Sequence, residues 1–481
     1  MKNFYFPMLI LMISIKSFAQ QQISENKKQL LSSISKHEKA LINISDSIWT
    51  YAETAFGEHR SSKILAEYAE KNGFKVERGV AQMPTGFIAS YGTGKPIIAV
   101  LGEFDALPGL SQKATPDREV RVENAPGHGC GHNLFGTASV AAAVAVKKWM
   151  ADHQVKGTIR LYGTPAEEGA GGGKTYFVKA NVFNDVDAVL HWHPGDNNSA
   201  SPSSTLAYKL GLFRFSGLAA HAAAAPDKGR SALDGVEAMN FMVNMMREHV
   251  SQESRIHYVI KKGGMTSNIV PDFAEVEYTV RNPTVAGVEE IWDRLLKAAE
   301  AGAMGTGTTV SHEVMTGLYN VLPNETLAKL MQKNLERVGG LKYTDEETRF
   351  AETIRKTVSS TNLPPISSAG EVLPYKLNGL TSASTDVGDI SWVVPTAGLS
   401  VATWVPGVPA HSWQAVACDG MSIGFQGMMI AAKTIALSAA DIFQQPSIIK
   451  PALDELIKAR GVSFKYRSLA GDRNPPLDYR K

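Results

Sequence analysis

The feature that most constrains this chain is a set of short, largely apolar runs spaced widely along the sequence. They comprise IIAVL at 97–101, TIRLY at 158–162, VDAVLH at 186–191 and LSVATW at 399–404. Stretches with helical periodicity, such as 134–150, separate them. Short apolar runs of this kind are typical of strands buried on both faces, and their alternation with helices predicts an α/β fold.

Polar residues follow each apolar run directly. They comprise Glu103 and Asp105 in GEFDALPG, Glu167 and Glu168 in TPAEEGAGGG, His193 in HWHPGD, and His411 in VPGVPAHSW. The loops at the carboxyl ends of the strands line one crevice in an open α/β sheet. These groups can therefore converge although the first and the last are about 300 residues apart in the chain. The pattern predicts a single polar site at that edge of the sheet.

The order of predicted strands and helices changes between about 206 and 317. Strand-like LAYKLGLFRFSG precedes a helical stretch at 230–249, strands at 256–261 and 273–281, a helix near 286–301, and TTVSHEVMTG. This β-α-β-β-α-β order is that of a ferredoxin-like domain. We therefore predict a main domain in two halves, 24–205 and 318–445, an inserted domain at 206–317, and a peripheral extension at 446–481, for which the sequence indicates no role.

Length and composition agree with a folded protein of about two domains. The chain has 481 residues, of which 44% are hydrophobic and 20% charged, and its net charge is only +2. A balance of this kind gives no electrostatic reason to expect nucleic acid or a membrane surface as a partner. The expected partner is a small molecule.

The first 19 residues, MKNFYFPMLILMISIKSFA, have the layout of a signal peptide. A membrane anchor is the alternative, but the apolar run is short for a span and Lys16 interrupts it. We expect cleavage near Ala19 and a soluble protein exported to the periplasm. Its only thiols would then be Cys130 and Cys418. A disulfide between these two cysteines is one interpretation.

The decapeptide GHGCGHNLFG, residues 127–136, suggests another role for Cys130. In an extended segment, Cys130 and His132 project to the same side, so that a thiolate and an imidazole can bind one cation. Together with carboxylates, these ligands suit zinc, and the carboxylates widen the choice to manganese or cobalt. A helix start with an inert, buried cysteine is the alternative for this stretch taken alone.

The pair Glu167-Glu168 strengthens the metal interpretation. Adjacent side chains do not easily point the same way, so one carboxylate can bind a metal while the other acts as a general base on water. Paired glutamates are usually part of a solvated surface, but here they lie between a buried strand and GAGGG.

Six segments occur in an order that resembles the M20 metallopeptidase family, and most of all its amidohydrolase branch. They are GHGCGHN, TPAEEGAGGG, HWHPGD, GLAAHAAAAPDKGRSALDG, TSNIVPDFAEVEYTVR and PAHSW. The resemblance covers roughly residues 30–445 and implies a zinc-exopeptidase-like α/β/α catalytic domain. It also implies that the inserted ferredoxin-like α+β domain serves as a lid and in dimerisation.

The resemblance implies roles for individual residues. Two divalent metal ions, Zn²⁺ or Mn²⁺ with Co²⁺ as a further option, would be bound by Cys130, His132, Glu168, His193 and His411. Glu167 would be the general base, with His221 a second catalytic group. Substrate would contact His221, Asn268 and Arg281, partly across a dimer interface, although Arg281 can equally be a surface charge at a strand end.

Several positions leave alternatives open. His193 is preferred as a ligand because it lies six residues after Asp187, the spacing of the branch, and His191 is the alternative. Asn133 stands where the branch commonly has an acid that can orient the ligand histidine. We expect Asp105 to contact the metal ligands and hold them in position without binding the ions itself. Asp386 and Asp389 can support ligands or contact substrate, but are not expected to bind the ions.

The activity implied is hydrolysis of an amide that joins an acyl or aroyl group to an amino acid, with p-aminobenzoyl-glutamate as the first candidate. A dipeptidase or aminopeptidase of the same family is the nearest alternative, and a metal- or ligand-binding protein without catalysis is a further one. A serine hydrolase is disfavoured because the sequence has no G-x-S-x-G elbow. The lid implies a homodimer or a heterodimer with a related chain.

Overall fold

The computed structural model describes residues 23–169, 171–377 and 379–478. The predicted signal peptide, 1–19, lies outside these residues. The strands they contain are β1 Lys75–Arg78, β2 Phe87–Thr93, β3 Ile97–Gly102, β4 Gly157–Gly163, β5 Ala188–Gly195, β6 Ser203–Ser204, β7 Ala207–Ser216, β8 Arg255–Lys262, β9 Phe273–Asn282, β10 Thr309–Leu318, β11 Gly379–Leu380 and β12 Thr396–Ala402.

The same residues contain α-helices that range from one turn to six. They are α1 Glu25–Lys36, α2 Glu38–Tyr51, α3 His59–Lys71, α4 His132–Asp152, α5 Gly173–Lys179, α6 Ala232–Met246, α7 Val285–Thr306, α8 Glu325–Val338, α9 Asp345–Arg355, α10 Val387–Ser391, α11 Trp413–Asp419, α12 Ser422–Gln444 and α13 Ile449–Arg460.

The main sheet has the order β1-β2-β4-β3-β5-β12. Strands β4, β3, β5 and β12 run parallel, whereas β1 and β2 add an antiparallel edge. The four parallel strands coincide with the four apolar runs of the sequence. Their carboxyl ends therefore lie along one edge, as the α/β prediction requires.

Both faces of this sheet are covered, which explains why β3 is apolar throughout. Ile98 and Val100 pack into a core formed with α1, α2, α4, α8 and α12. The alternate residues Ile97, Ala99 and Leu101 pack into a second core on the opposite face, formed with α5 and α10. The α/β/α layering predicted for the catalytic domain is confirmed.

Helix α12 is long and apolar enough, by length and composition, to cross a membrane. It packs against α4 and α8, and most of its residues are buried. Its apolar character therefore serves the core of the main domain.

The inserted domain has the predicted β-α-β-β-α-β order, β7-α6-β8-β9-α7-β10. Its antiparallel sheet has the order β10-β7-β9-β8, and α6 and α7 cover one face through a core of their own. Because this core is separate, the two domains can be told apart, although the exact boundaries 206 and 317 remain predictions.

The C-terminal segment that follows α13 lies against both domains. The hydroxyl of Tyr466 donates to Asp389 Oδ1 (2.7 Å), and Arg473 forms an ion pair with Glu313 on β10. Leu469 and Ala470 are buried. The segment thus contributes to the packing of the main domain against the inserted one.

Candidate metal centre

The candidate site lies where the parallel strands end, as the sequence pattern predicts. Glu103 and Asp105 follow β3, Glu167 and Glu168 follow β4, and His193 is near the end of β5. His411 lies in the loop between β12 and α11. Cys130 and His132 enter the same crevice from the start of α4.

Gly131 allows the chain to turn between Cys130 and His132. Its φ of +71° lies in the left-handed region, and a Cβ there would come within 2.7 Å of Pro194 Cβ. Only glycine meets both conditions without strain. This explains why a glycine separates the cysteine from the histidine that begins α4. The expectation of an extended segment is wrong here, because the left-handed Gly131 and the start of α4 bring Cys130 and His132 together instead.

The five predicted ligands form two groups that share Cys130. Cys130, His132 and His193 form one group, and Cys130, Glu168 and His411 form the other, with all donor atoms of a group within 4.8 Å of one another. The Cys130 sulfur lies 3.8 Å from His193 Nε2 and 3.3 Å from His411 Nε2. His411 Nε2 is 3.5 Å from Glu168 Oε1. Each group would hold one divalent ion, and Cys130 belongs to both groups.

This geometry distinguishes His193 from His191, the two histidines that are candidate ligands. His193 donates from Nδ1 to the carbonyl of Pro194 (2.7 Å), which turns Nε2 towards Cys130. His191 is not in either ligand group, and a Cβ at Gly398 would lie 2.3 Å from its ring. Burial lowers the pKa of His191 to about 4, so it packs as a neutral residue of the strand.

Asp105 fixes the orientation of two predicted ligands. Its Oδ1 accepts from His132 Nδ1 (3.0 Å), and its Oδ2 accepts from the backbone N–H of Glu168 (2.8 Å). The bond to Nδ1 leaves His132 Nε2 as the nitrogen that can bind a metal. Asn133 does not share this task, because its amide donates to Ser45 and to the carbonyl of Asp419.

Glu167 is half-buried beside these groups. Burial raises the pKa of its carboxyl well above the usual range, and the neighbouring charges of Glu103, Glu168 and Asp386 raise it further. These surroundings favour the protonated form of the Glu167 carboxyl. Burial and Glu168 likewise raise the pKa of the Cys130 thiol, which a bound cation would reverse.

A buried ion-pair network lies beneath the ligands. Lys174 Nζ contacts Glu103 Oε1 (2.7 Å) and Asp386 Oδ1 (2.6 Å), and all three side chains are almost completely inaccessible to solvent. Burial alone would raise the pKa of Glu103, but the charges of Lys174 and His132 outweigh it and lower that pKa. The sequence pattern did not single out Lys174, and it placed Glu103 in the cluster after β3 without a specific role. Asp386 contacts Lys174, and its two expected roles remain predictions.

The predicted lid residues His221 and Asn268 are both exposed. The Nδ1 atom of His221 accepts from the backbone N–H groups of Ala223 (3.2 Å) and Ala224 (3.1 Å). The backbone carbonyl of Asn268 accepts from the N–H of Ala222. These bonds all join residues of the lid, and neither side chain belongs to the ligand groups. Their substrate roles remain predictions.

Arg281 is a lid residue that reaches the main domain. Its guanidinium donates to Ser384 Oγ (2.6 Å) and lies over the ring of Tyr208, 4.6 Å from its centroid. It is therefore half-buried at the junction of the two domains and is not a free surface charge.

The donor set itself fits divalent metal ions. It combines a thiolate, imidazoles and carboxylates, which suits zinc and also accepts manganese or cobalt. Cys130 and Cys418 are both buried and free, so no disulfide competes for the thiol. His411 has a φ of +56°, a strained conformation of the kind that concentrates at functional sites.

This chain is similar to known proteins over most of its length. Residues 99–364 match the sequence pattern of peptidase family M20/M25/M40. The chain is 42% identical over 440 residues to one of the subunits of the p-aminobenzoyl-glutamate hydrolase of Escherichia coli, covering 86% of this chain and 91% of that protein. It is 28% identical over 439 residues to the Xaa-Arg dipeptidase of Mus musculus, covering 88% and 90%.

Two further similarities are relevant to the assembly and the fold. Another subunit of the same Escherichia coli hydrolase is 26% identical over 272 residues, covering 53% of this chain and 61% of that protein. A dinuclear metal-binding peptidase of the M20 family from Bacillus subtilis superposes with a TM-score of 0.58 at 17% identity, covering 85% of this chain and 99% of that one. The latter likeness shows a shared fold.

Proposed function

The chain belongs to peptidase family M20/M25/M40 and is a metal-dependent amide-bond hydrolase, and we propose that it cleaves N-acyl or N-aroyl amino acids. The observation that carries this proposal is the pair of ligand groups that meet at Cys130, with Glu167 beside them. The 42% identity to a p-aminobenzoyl-glutamate hydrolase subunit supports p-aminobenzoyl-glutamate as the substrate, with p-aminobenzoate and glutamate as products.

Cys130, His132, Glu168, His193 and His411 would bind the ions. Bound ions of this kind lower the pKa of water and polarise a carbonyl oxygen. Glu167 accepts the proton of the attacking water and then delivers it to the nitrogen of the leaving amine. The surroundings that raise its pKa suit this second step, because they favour the protonated carboxyl.

The lid supplies the remaining contacts in this proposal. His221 would stabilise the negative charge that develops on the carbonyl oxygen. His221 and Asn268 do not belong to the ligand groups of the described residues, so in this proposal they act after closure of the lid or on a neighbouring chain. Arg281, which lies at the junction of the two domains, would contact the carboxylate of the substrate.

The partner, the metal and the location are further proposals. Similarity to two different subunits of p-aminobenzoyl-glutamate hydrolase supports a dimer, either of this chain or with a related one. The ligand set supports Zn²⁺ or Mn²⁺, with Co²⁺ as a further option. The layout of residues 1–19 supports export to the periplasm.

An assay of substrate preference tests the proposal. The purified mature chain, loaded with Zn²⁺ or Mn²⁺, is given p-aminobenzoyl-glutamate, hippurate and a dipeptide that ends in arginine. We expect the highest kcat/KM with p-aminobenzoyl-glutamate. The dipeptide is included because of the similarity to the Xaa-Arg dipeptidase. A preference for the dipeptide would contradict the proposed substrate class and leave the metal chemistry intact.

A further inference from the structure

The carboxylate of Glu103 has one oxygen engaged and one oxygen directed at His132. Oε1 is fixed by Lys174 Nζ at 2.7 Å. Oε2 lies 3.0 Å from His132 Nε2. The two atoms are not aligned as donor and acceptor, and neither has a hydrogen-bond partner in the described part of the chain. Both are buried, so solvent does not satisfy them.

The positions of His132 Nε2 and Glu103 Oε2 suit two ligands of one ion. Asp105 Oδ1 accepts from Nδ1 of His132, so Nε2 is the ring nitrogen that faces the candidate ion. Two ligand atoms that are each about 2.1 Å from one ion can be 3.0 Å apart, which is the separation of these two atoms.

We propose that Glu103 is a sixth protein ligand of the metal centre, bound through Oε2 to the ion that His132 holds. This inference rests on the proposed metal centre and adds a carboxylate oxygen to the group of Cys130, His132 and His193. Glu103, His132 and Glu167 already lie with their donor atoms within 4.8 Å of one another.

Lys174 and Asp386 hold the new ligand in place. The Asp386 carboxylate accepts from Lys174 Nζ at 2.6 Å and from its backbone N–H at 2.9 Å, which fixes both ends of the lysine. Lys174 therefore neutralises Oε1 of Glu103 and leaves Oε2 for the ion. Lys174 is a positioning residue in this arrangement and does not contact the ion itself.

Metal affinity tests the inference without an activity assay. Wild type, Glu103→Gln, Glu103→Asp and the control Asp389→Asn are dialysed against buffered free Zn²⁺ and Mn²⁺, and bound ions per chain are measured. Asp389 is a buried carboxylate whose oxygens accept from Tyr319 N and Tyr466, outside the ligand groups. We expect both Glu103 variants to bind one of the two ions more than about 100-fold more weakly, which exceeds the 10- to 100-fold loss typical of residues that only support a ligand. Asp389→Asn should bind both ions as the wild type does.

The two Glu103 variants distinguish between two roles of Glu103, that of a metal ligand and that of a residue that acts only through its charge. Glu103→Asp keeps the charge but shortens the side chain by one methylene, so a ligand oxygen no longer reaches the ion. Wild-type affinity in either variant would overturn the inference. Wild-type protein that binds no metal would instead contradict the proposed function itself.

A crystal structure of the metal-loaded wild type gives a second readout that needs no variant to fold. We expect Glu103 Oε2 at about 2.0–2.2 Å from the ion on His132. A separation well beyond that range, with the ion bound by the other ligands, would overturn the inference.

Discussion

Replacing Asp105 by asparagine should weaken metal binding while the fold survives. Both carboxylate oxygens of Asp105 accept from donors, His132 Nδ1 at 3.0 Å and the Glu168 N–H at 2.8 Å. An amide offers only one acceptor, so its NH₂ group must face one of these donors. If it faces His132, the favoured tautomer carries its hydrogen on Nε2, which then cannot bind an ion.

The size of the effect follows from the bond that is lost. A hydrogen bond to a charged group contributes about 1.5–3 kcal/mol. This corresponds to roughly 10- to 100-fold in ion affinity, since each 1.4 kcal/mol is about a factor of ten. The backbone carbonyl of Asp105, 3.1 Å from the same His132 nitrogen, remains and favours the lower end of the range.

The assay is a titration of the metal-free protein with Zn²⁺ in a chelator buffer, with bound zinc measured after dialysis. Asp389→Asn is the matched control, because Asp389 also accepts from one backbone N–H and one side-chain donor. Unchanged zinc affinity in Asp105→Asn, or an equal loss in Asp389→Asn, would refute the idea that Asp105 orients the ligands.

Three further predictions follow from buried carboxyl groups and their partners. Glu167→Gln should lower kcat by on the order of 10²- to 10⁴-fold with both ions retained, by elemental analysis; loss of ions would mean that Glu167 is a ligand. Lys174→Met should lower the free energy of unfolding by about 3–5 kcal/mol, because it leaves Glu103 and Asp386 buried without their cation; an unchanged Tm would contradict this. Burial raises the pKa of Asp389 to about 7 from 3.8, so its contribution to stability is present below pH 4 and lost as the pH rises through 7. Asp389→Asn should therefore flatten the fall in Tm between about pH 4 and 7, and an equally steep fall in the variant would exclude Asp389 as its cause.

The parts of the fold that the sequence predicts are those set by local patterns. The four parallel strands follow from apolar runs, and the inserted domain follows from its order of elements. Cys130, His132 and Glu168 can be identified because their motifs are local and because strand ends converge in an α/β sheet.

The remaining features depend on contacts between distant segments. His191 and His193 lie on the same side of β5, so strand alternation does not separate them, and the position of Cys130 does. Lys174 follows three glycines and is easily taken for a solvated lysine, because its partners Glu103 and Asp386 lie 71 and 212 residues away in the chain.

We propose that Cys130 joins two metal sites that carry out amide hydrolysis. The most direct test of this proposal is to purify the mature chain alone, measure bound metal by elemental analysis, and follow the release of glutamate from p-aminobenzoyl-glutamate. Because there are two ligand groups, we expect about two divalent ions per chain, and turnover that is lost with a chelator and restored by Zn²⁺ or Mn²⁺. A chain that binds no transition metal under any condition would contradict it.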